Sequence, residues 1–104
     1  MTAGSLAGLL AEAAAAIPGC TATDAEGSMT WAIGRGAAFA ALSGETAEFR
    51  LDPVIGSAAR RTPDATPSLR GAEWVAFHPG VLDEYAVDRA GAWFAAAARR
   101  AAVG

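Results

Sequence analysis

Hydrophobic and polar positions alternate in three short runs between residues 29 and 53, and two glycine turns separate these runs. A period of two is typical of half-buried strands joined by tight turns. The pattern predicts three antiparallel strands, over 29–33, 37–42 and 47–51. In the third run Phe49 and Leu51 share one face, and charged residues occupy the other. One face of the predicted sheet therefore needs helices to cover it.

The segments on either side of these strands have a helical period. Apolar residues three, four and seven positions apart predict an amphipathic helix over 2–17 and another over 83–102. Asp52 followed by Pro53 predicts the N-cap and the first position of a short helix over 53–61.

The remaining segments are interpreted as connections and one or two further strands. Residues 20–28 are a connection that begins extended at 20–22, and residues 62–68, which are polar and contain prolines, are an exposed loop or an irregular edge segment. A strand-like run covers 73–78. We predict a single α+β domain over all 104 residues, in the order α-β-β-β-α-β-β-α, with an antiparallel sheet and helices on one face.

Composition and charge narrow the function. The chain is 53% hydrophobic and 18% charged, as expected of a globular domain rather than a disordered chain. Its eight basic residues are all arginine, which is typical of a GC-rich bacterial coding background, and the formal net charge is −3. A negative net charge disfavours attraction of phosphate to the whole surface, although it permits a local basic patch.

The residues with catalytic or metal-binding potential are few. Cys20 is the only cysteine and His78 the only histidine, and no serine lies in a G-x-S-x-G motif. We therefore expect no disulfide, no metal site, no cofactor and no enzymatic activity. A single free cysteine, the absence of a basic signal-peptide segment and the absence of an 18-residue apolar run lead us to expect a cytoplasmic protein without membrane spans.

The candidate ligand-binding residues are four arginines and one tryptophan, namely Arg50, Arg60, Arg61, Arg70 and Trp74. Arg50 is on the polar face of the third predicted strand, and the other arginines flank the 62–68 loop, so the set could converge on one anionic group. Alternatively, Arg50 pairs with Glu48 or Glu73, and the other arginines are solvated or complement the helix dipole.

Three stretches, F-A-A-L-S-G, E-F-R-L-D-P and E-W-V-A-F, together with Trp93-Phe94, carry a family resemblance. Between about residue 22 and the C-terminus the chain resembles the MmcQ/YjbR-like domains of bacteria and, more distantly, the N-terminal domain of TfoX-type competence proteins. The resemblance implies an α-β-β-β-α-β-β-α fold similar to that of secretion chaperones. Members are often labelled DNA-binding, and no catalytic motif defines them. This chain departs from the usual pattern because it has no lysine.

Three hypotheses follow. The first is a non-catalytic binding or interaction module for a protein or a small ligand. The second is a nucleic-acid-binding protein of the YjbR type. The third is a small-molecule binder or drug-sequestering protein, suggested by Trp31, Phe49, Trp74 and Phe77, although such rings usually build the core of a small domain. Homodimerisation fits each hypothesis, because an exposed edge strand and an apolar sheet face are self-complementary features.

Overall fold

Three helices and six strands make up the part of the chain that the structure, a computed structural model, describes, residues 5–103. In chain order they are α1 (Leu6–Ala15), β1 (Cys20–Ala25), β2 (Ser28–Ile33), β3 (Ala38–Ser43), β4 (Thr46–Arg50), α2 (Pro53–Ala59), β5 (Ala65–Pro67), β6 (Trp74–Phe77) and α3 (Glu84–Val103). The predicted α+β class is confirmed. Residues 2–4 of the predicted first helix lie outside the described residues.

The strands form one antiparallel sheet with the order β1-β2-β3-β4-β6-β5. The first four strands are a meander. After β4 the chain passes through α2 to the far edge of the sheet as β5, and β6 then fills the position between β5 and β4. The core contains residues from all three helices, and its strand residues come from one face of the sheet. The helices thus cover one face, as predicted.

Two segments that we interpreted as connections contain strands. Residues 20–25 form β1, and residues 65–67, within the predicted loop, form the short strand β5. The prediction missed β1 because five of its six residues are exposed, so it has no alternating apolar pattern. The turn at Glu26-Gly27 joins β1 to β2, and both residues have positive φ angles, 52° and 81°, as in a type I′ hairpin. The glycine at this turn is the sequence feature that indicates a hairpin here.

Aromatic rings at the centre of α3 hold this helix against the sheet. Phe94 contacts Trp31 and Phe39 edge to face, with ring centroids 5.5 Å and 5.2 Å apart. Trp93 makes the same kind of contact with Phe49 and Phe77. Edge-to-face pairs add about 0.5–1.5 kcal/mol each to the hydrophobic gain. These four pairs therefore fix the position of α3 on β2, β3, β4 and β6.

A β-bulge brings one of these rings into the core. The register between β2 and β3 shifts so that Trp31 lies opposite Ala40 and Ala32 lies opposite Ala38, which makes Phe39 an extra residue in β3. Phe39 and Ala40 are neighbours in sequence, yet both are buried in the core. The bulge therefore places in the core a ring that strict alternation with Ala40 would have put on the other face of the sheet.

Replacing Phe94 with alanine should lower the free energy of unfolding by about 3–5 kcal/mol, because the change leaves a cavity between two aromatic rings. Chemical denaturation followed by circular dichroism measures this loss. Tyr85→Ala is the matched control, since Tyr85 is an aromatic residue of the same helix that is 73% exposed, whereas Phe94 is 0% exposed. Equal stability of the two variants would contradict the assigned packing of α3.

Gly91→Ala should raise the free energy of unfolding by about 0.5–1 kcal/mol, because glycine is a poor residue inside a helix. A Cβ atom at Gly91, in the interior of α3, would meet no atom within 4 Å. Gly44→Ala is the control and should destabilise, because Gly44 has a φ angle of +60° in the β3–β4 turn. A destabilised Gly91→Ala variant would show that the space beside this residue is not open.

Candidate functional site

The face of the sheet opposite the helices, called the open face below, carries small and polar side chains. Residues that lie opposite each other in an antiparallel ladder share a face. One such row on the open face consists of Thr30, Ala41, Glu48 and Ala76. The next row includes Arg50 and Trp74, which are directly opposite each other on β4 and β6. Two of the five predicted site residues are thus neighbours on the open face.

Arg70 joins this pair from the loop that connects β5 to β6. Its guanidinium carbon lies 5.4 Å from the centroid of the Trp74 ring, within the range of a cation–π interaction. The segment containing Arg70 is therefore folded against the open face. Arg50, Arg70 and Trp74 form what we call the Arg–Trp cluster.

Glu48 and Ser68 hold Arg70 in place. Arg70 Nε donates a hydrogen bond to Glu48 Oε1 at 2.8 Å, and the other Glu48 oxygen accepts a hydrogen bond from the Ser68 hydroxyl. The Ser68 oxygen also accepts a hydrogen bond from the Arg70 backbone N–H at 3.1 Å. Sequence reasoning did not assign Ser68 to the site. The sequence did indicate Glu48 as a residue near the site, because it lies two residues before Arg50 and therefore on the same face of the strand.

A second carboxylate, that of Glu73, holds Arg50. Arg50 Nε donates to Glu73 Oε1 at 3.1 Å, which is one of the two pairings that the sequence suggested. Arg100 on α3 also binds Glu73, through Nη1 to Oε1 at 3.1 Å and through Nη2 to Oε2 at 3.0 Å. Arg100 Nη1 donates in addition to the Leu51 carbonyl. Hydrogen bonds from Arg100, followed by those from Arg50, lower the pKa of Glu73, and Glu73 in turn raises the pKa of Arg100.

The outer nitrogens of the two cluster arginines make no hydrogen bond with the described part of the chain. Within residues 5–103, Arg50 and Arg70 each make their side-chain hydrogen bonds through Nε alone. Both arginines border a shallow depression of about 530 Å³. It is lined by Ala37, Ala38, Arg50, Arg70, Gly71, Ala72, Glu73 and Trp74. Guanidinium groups with free Nη atoms suit carboxylate and phosphate oxygens.

The other two predicted arginines have different positions. Arg60 Nη2 donates to the Ala72 carbonyl at 2.6 Å, so Arg60 ties the end of α2 to the segment before β6. Arg61 is exposed and lies beside Val54 and Ser57 on the surface of α2. The structure therefore does not bring all four arginines to one point. Arg60 has a structural contact, and Arg61 is not part of the cluster.

The residues with catalytic potential are not combined into a catalytic arrangement in the described part of the chain. His78 Nδ1 and the Thr46 hydroxyl are 2.9 Å apart and share a hydrogen bond. Burial raises the pKa of the Cys20 thiol. Among residues 5–103 no three His, Cys, Asp or Glu side chains are arranged to hold a metal ion. No helix in this range is both long enough and apolar enough to cross a membrane.

Comparisons with known proteins give no relative: no family model matches the chain, and neither a curated protein nor a solved structure matches it significantly. The resemblance to MmcQ/YjbR-like domains therefore stays a prediction. The α+β fold rests on the structure itself.

Replacing Glu73 with glutamine should destabilise the protein at neutral pH and have less effect in acid. Because the pKa of Glu73 is lowered in the folded state, its stabilising contribution is present above the unfolded value of about 4.3 and is lost as the pH falls through the lower folded value. Thermal unfolding of the wild type and the variant between roughly pH 7 and pH 3 should show that their difference in stability becomes smaller as the pH falls.

The control for this prediction is Glu12→Gln, which alters an exposed carboxylate on α1 that makes no salt bridge among the described residues. It should follow the wild-type pH dependence. A difference in stability between Glu73→Gln and the wild type that is constant over the whole pH range would contradict the role assigned to the arginine contacts.

Proposed function

We propose that this chain is a non-catalytic binding module and that its Arg–Trp cluster binds an anionic ligand. The observation that carries the proposal is the geometry of Arg50 and Arg70, which are anchored through Nε while their Nη atoms stay available beside Trp74. An anion in the depression would accept hydrogen bonds from both guanidinium groups.

Anchoring of the arginines favours binding. A free arginine side chain loses rotamer freedom when it binds a ligand, and this loss weakens affinity. Here the carboxylates of Glu48 and Glu73 have already oriented the two guanidinium groups. The ligand therefore meets a partly preorganised pair of donors.

The local charge suggests the size of the anion. Three guanidinium groups, those of Arg50, Arg70 and Arg100, face two carboxylates, so one positive charge is in excess. The whole chain has a formal net charge of −3. A small ligand with one or two negative charges is attracted to the cluster, whereas a long polyanion is repelled by the rest of the surface.

The same geometry supports a binding role over a catalytic one. Both oxygens of Glu48 are engaged, one by Arg70 and the other by the Ser68 hydroxyl, so Glu48 positions its neighbours. His78 contacts Thr46 and is not paired with Ser68. Nucleophilic catalysis usually needs a base within hydrogen-bond reach of the attacking group and a third group that orients the base. The cluster has no such combination of a nucleophile, a base and an orienting group.

Single-stranded nucleic acid is the second candidate ligand. It is favoured by one observation, the stacking of Arg70 and Trp74 on the uncovered face of an antiparallel sheet. Proteins that bind single strands stack bases on aromatic and arginine side chains in this way. The small local excess of positive charge makes this candidate weaker than a small anion.

The hypothesis of a drug-sequestering pocket among the aromatic residues gains no support from the packing. Trp31, Phe49 and Phe77 are buried, and each contacts an aromatic ring of α3 edge to face. These rings build the core. Trp74 is the only member of the suggested aromatic set on the open face.

Tryptophan fluorescence tests the proposal directly. Trp31 and Trp93 are only 3% and 9% exposed, so quenching by a ligand at the open face would come from Trp74. We expect saturable quenching by a nucleoside monophosphate, a probe that combines a phosphate with a planar ring. Arg50→Gln combined with Arg70→Gln should weaken binding more than tenfold, because each charge-assisted hydrogen bond contributes about 1.5–3 kcal/mol.

Arg61→Gln is the control, because it removes one positive charge from an arginine outside the cluster and should leave binding unchanged. Equal weakening in the control and the double variant would contradict the assigned site. A parallel titration with an oligothymidylate of about 12 nucleotides at low and high salt separates the candidates. Tight, strongly salt-dependent binding of the oligonucleotide alone would favour the second one.

A further inference from the structure

The two edges of the sheet differ in how they are protected against pairing with another strand. The β5 edge is three residues long and includes Pro67, which has no N–H to donate. The β1 edge is six residues long and contains no proline and no basic residue. Edge strands are normally protected by prolines, charged side chains, bulges or short length. The β1 edge has only one of these features, the charge of Asp24.

The backbone groups that β1 leaves free follow from its pairing with β2. Gly34 N–H donates to the Gly19 carbonyl at 2.8 Å, just before the strand begins. Hydrogen-bonded and non-hydrogen-bonded pairs alternate along an antiparallel ladder. Thr21, Thr23 and Ala25 therefore bond to β2. The N–H and C=O groups that point away from β2 belong to Cys20, Ala22 and Asp24. All of them are free except the Cys20 N–H, which donates to the Ile17 carbonyl at 3.3 Å.

The side chains of β1 do not obstruct a second strand at this edge, on either face of the sheet. Apart from Cys20, which is partly buried against the core, every residue of the strand is exposed. The exposed side chains are those of threonine, alanine and aspartate, so no large group blocks the approach of a second strand. Asp24 is the only charged residue of β1.

We propose that β1 is a dimerisation surface and that its occupant is β1 of a second copy of this chain. The two strands pair antiparallel about a twofold axis that passes through Ala22 perpendicular to the sheet. Each Ala22 then lies opposite the partner's Ala22, and Cys20 lies opposite the partner's Asp24. The pairing joins two six-stranded sheets into one continuous sheet.

The position of the charged Asp24 selects this register. With the axis at Ala22, both backbone groups of Ala22, the Asp24 N–H and the Cys20 C=O of each strand find partners on the other strand. With the axis at Thr23, Ala22 would pair with the partner's Asp24 and the number of hydrogen bonds would be the same, but the two Asp24 side chains would be diagonal neighbours on one face. The Ala22 register keeps the two Asp24 carboxylates apart, since each faces an uncharged cysteine.

The dimer does not depend on the proposed ligand. The twofold axis keeps the helices of both copies on one side of the sheet and their open faces on the other. The Arg–Trp cluster lies on β4 and β6, separated from β1 by two strands. Ligand binding and dimerisation are therefore separate properties with separate tests.

Light scattering after size-exclusion chromatography measures the oligomeric state that the proposal predicts. The wild-type chain should be a dimer that dissociates on dilution, and Ala22→Lys should be a monomer, because two like charges would face each other across the axis. Thr23→Lys is the control: it adds the same charge on the open face, where each new lysine lies opposite the partner's Thr21 and not opposite the other lysine, and it should remain dimeric. Circular dichroism shows that each variant is folded.

A cysteine substitution tests the register itself. In Asp24→Cys, the new thiol would lie opposite Cys20 of the other copy, at a Cα separation of about 5.5 Å that a disulfide can span. Oxidation should give a covalent dimer of this variant. The wild-type protein should not form one, because its two Cys20 residues are four positions out of register, about 13 Å apart along the strand.

Three outcomes would overturn the proposal: a wild-type chain that is monomeric even at high concentration, a dimer that survives Ala22→Lys, or an Asp24→Cys variant that does not cross-link. Equal dissociation of Ala22→Lys and Thr23→Lys would exclude the Ala22 register. A β1 edge that instead pairs with a strand of another protein would give the first outcome.

Discussion

The packing of two adjacent aromatic residues of α3 against the sheet is the contact on which the rest of the structure depends. Phe94 and Trp93 together reach β2, β3, β4 and β6. The helix can come this close because its other buried positions are alanines, which keep its sheet-facing side narrow. A bulge in β3 supplies the ring of Phe39 to the same contact. The hydrophobic core is thus a single layer between one long helix and one sheet face.

A core on one side of the sheet leaves the other side available for binding. Small side chains cover most of the open face, and charged groups are concentrated at β4 and in the segment between β5 and β6. The carboxylates of Glu48 and Glu73 orient the two arginines without using every donor, because Arg70 and Arg50 bind them through Nε. Folding therefore produces both the surface and the preorganised cations on it.

Arg100 connects the core to this surface. It belongs to α3, whose aromatic residues fix the helix, and it binds both oxygens of Glu73 as well as the Leu51 carbonyl at the end of β4. Since Glu73 also holds Arg50, the position of the helix end and the orientation of a cluster arginine share one carboxylate. Core packing thereby contributes to the geometry of the candidate site.

The sequence alone determined the α+β class, the three helices and most strands, because alternating and helical periods report which side of an element is buried. It also identified Arg50, Arg70 and Trp74 as residues that could converge. Only the tertiary structure revealed β1, which has no buried side and hence no period, and only it separated Arg60 and Arg61 from the cluster. Glu73 binds Arg50 and Arg100, and Glu48 binds Arg70 and Ser68, across sequence separations of 20 to 27 residues. Such contacts are decided by strand order and helix placement, which local patterns do not encode.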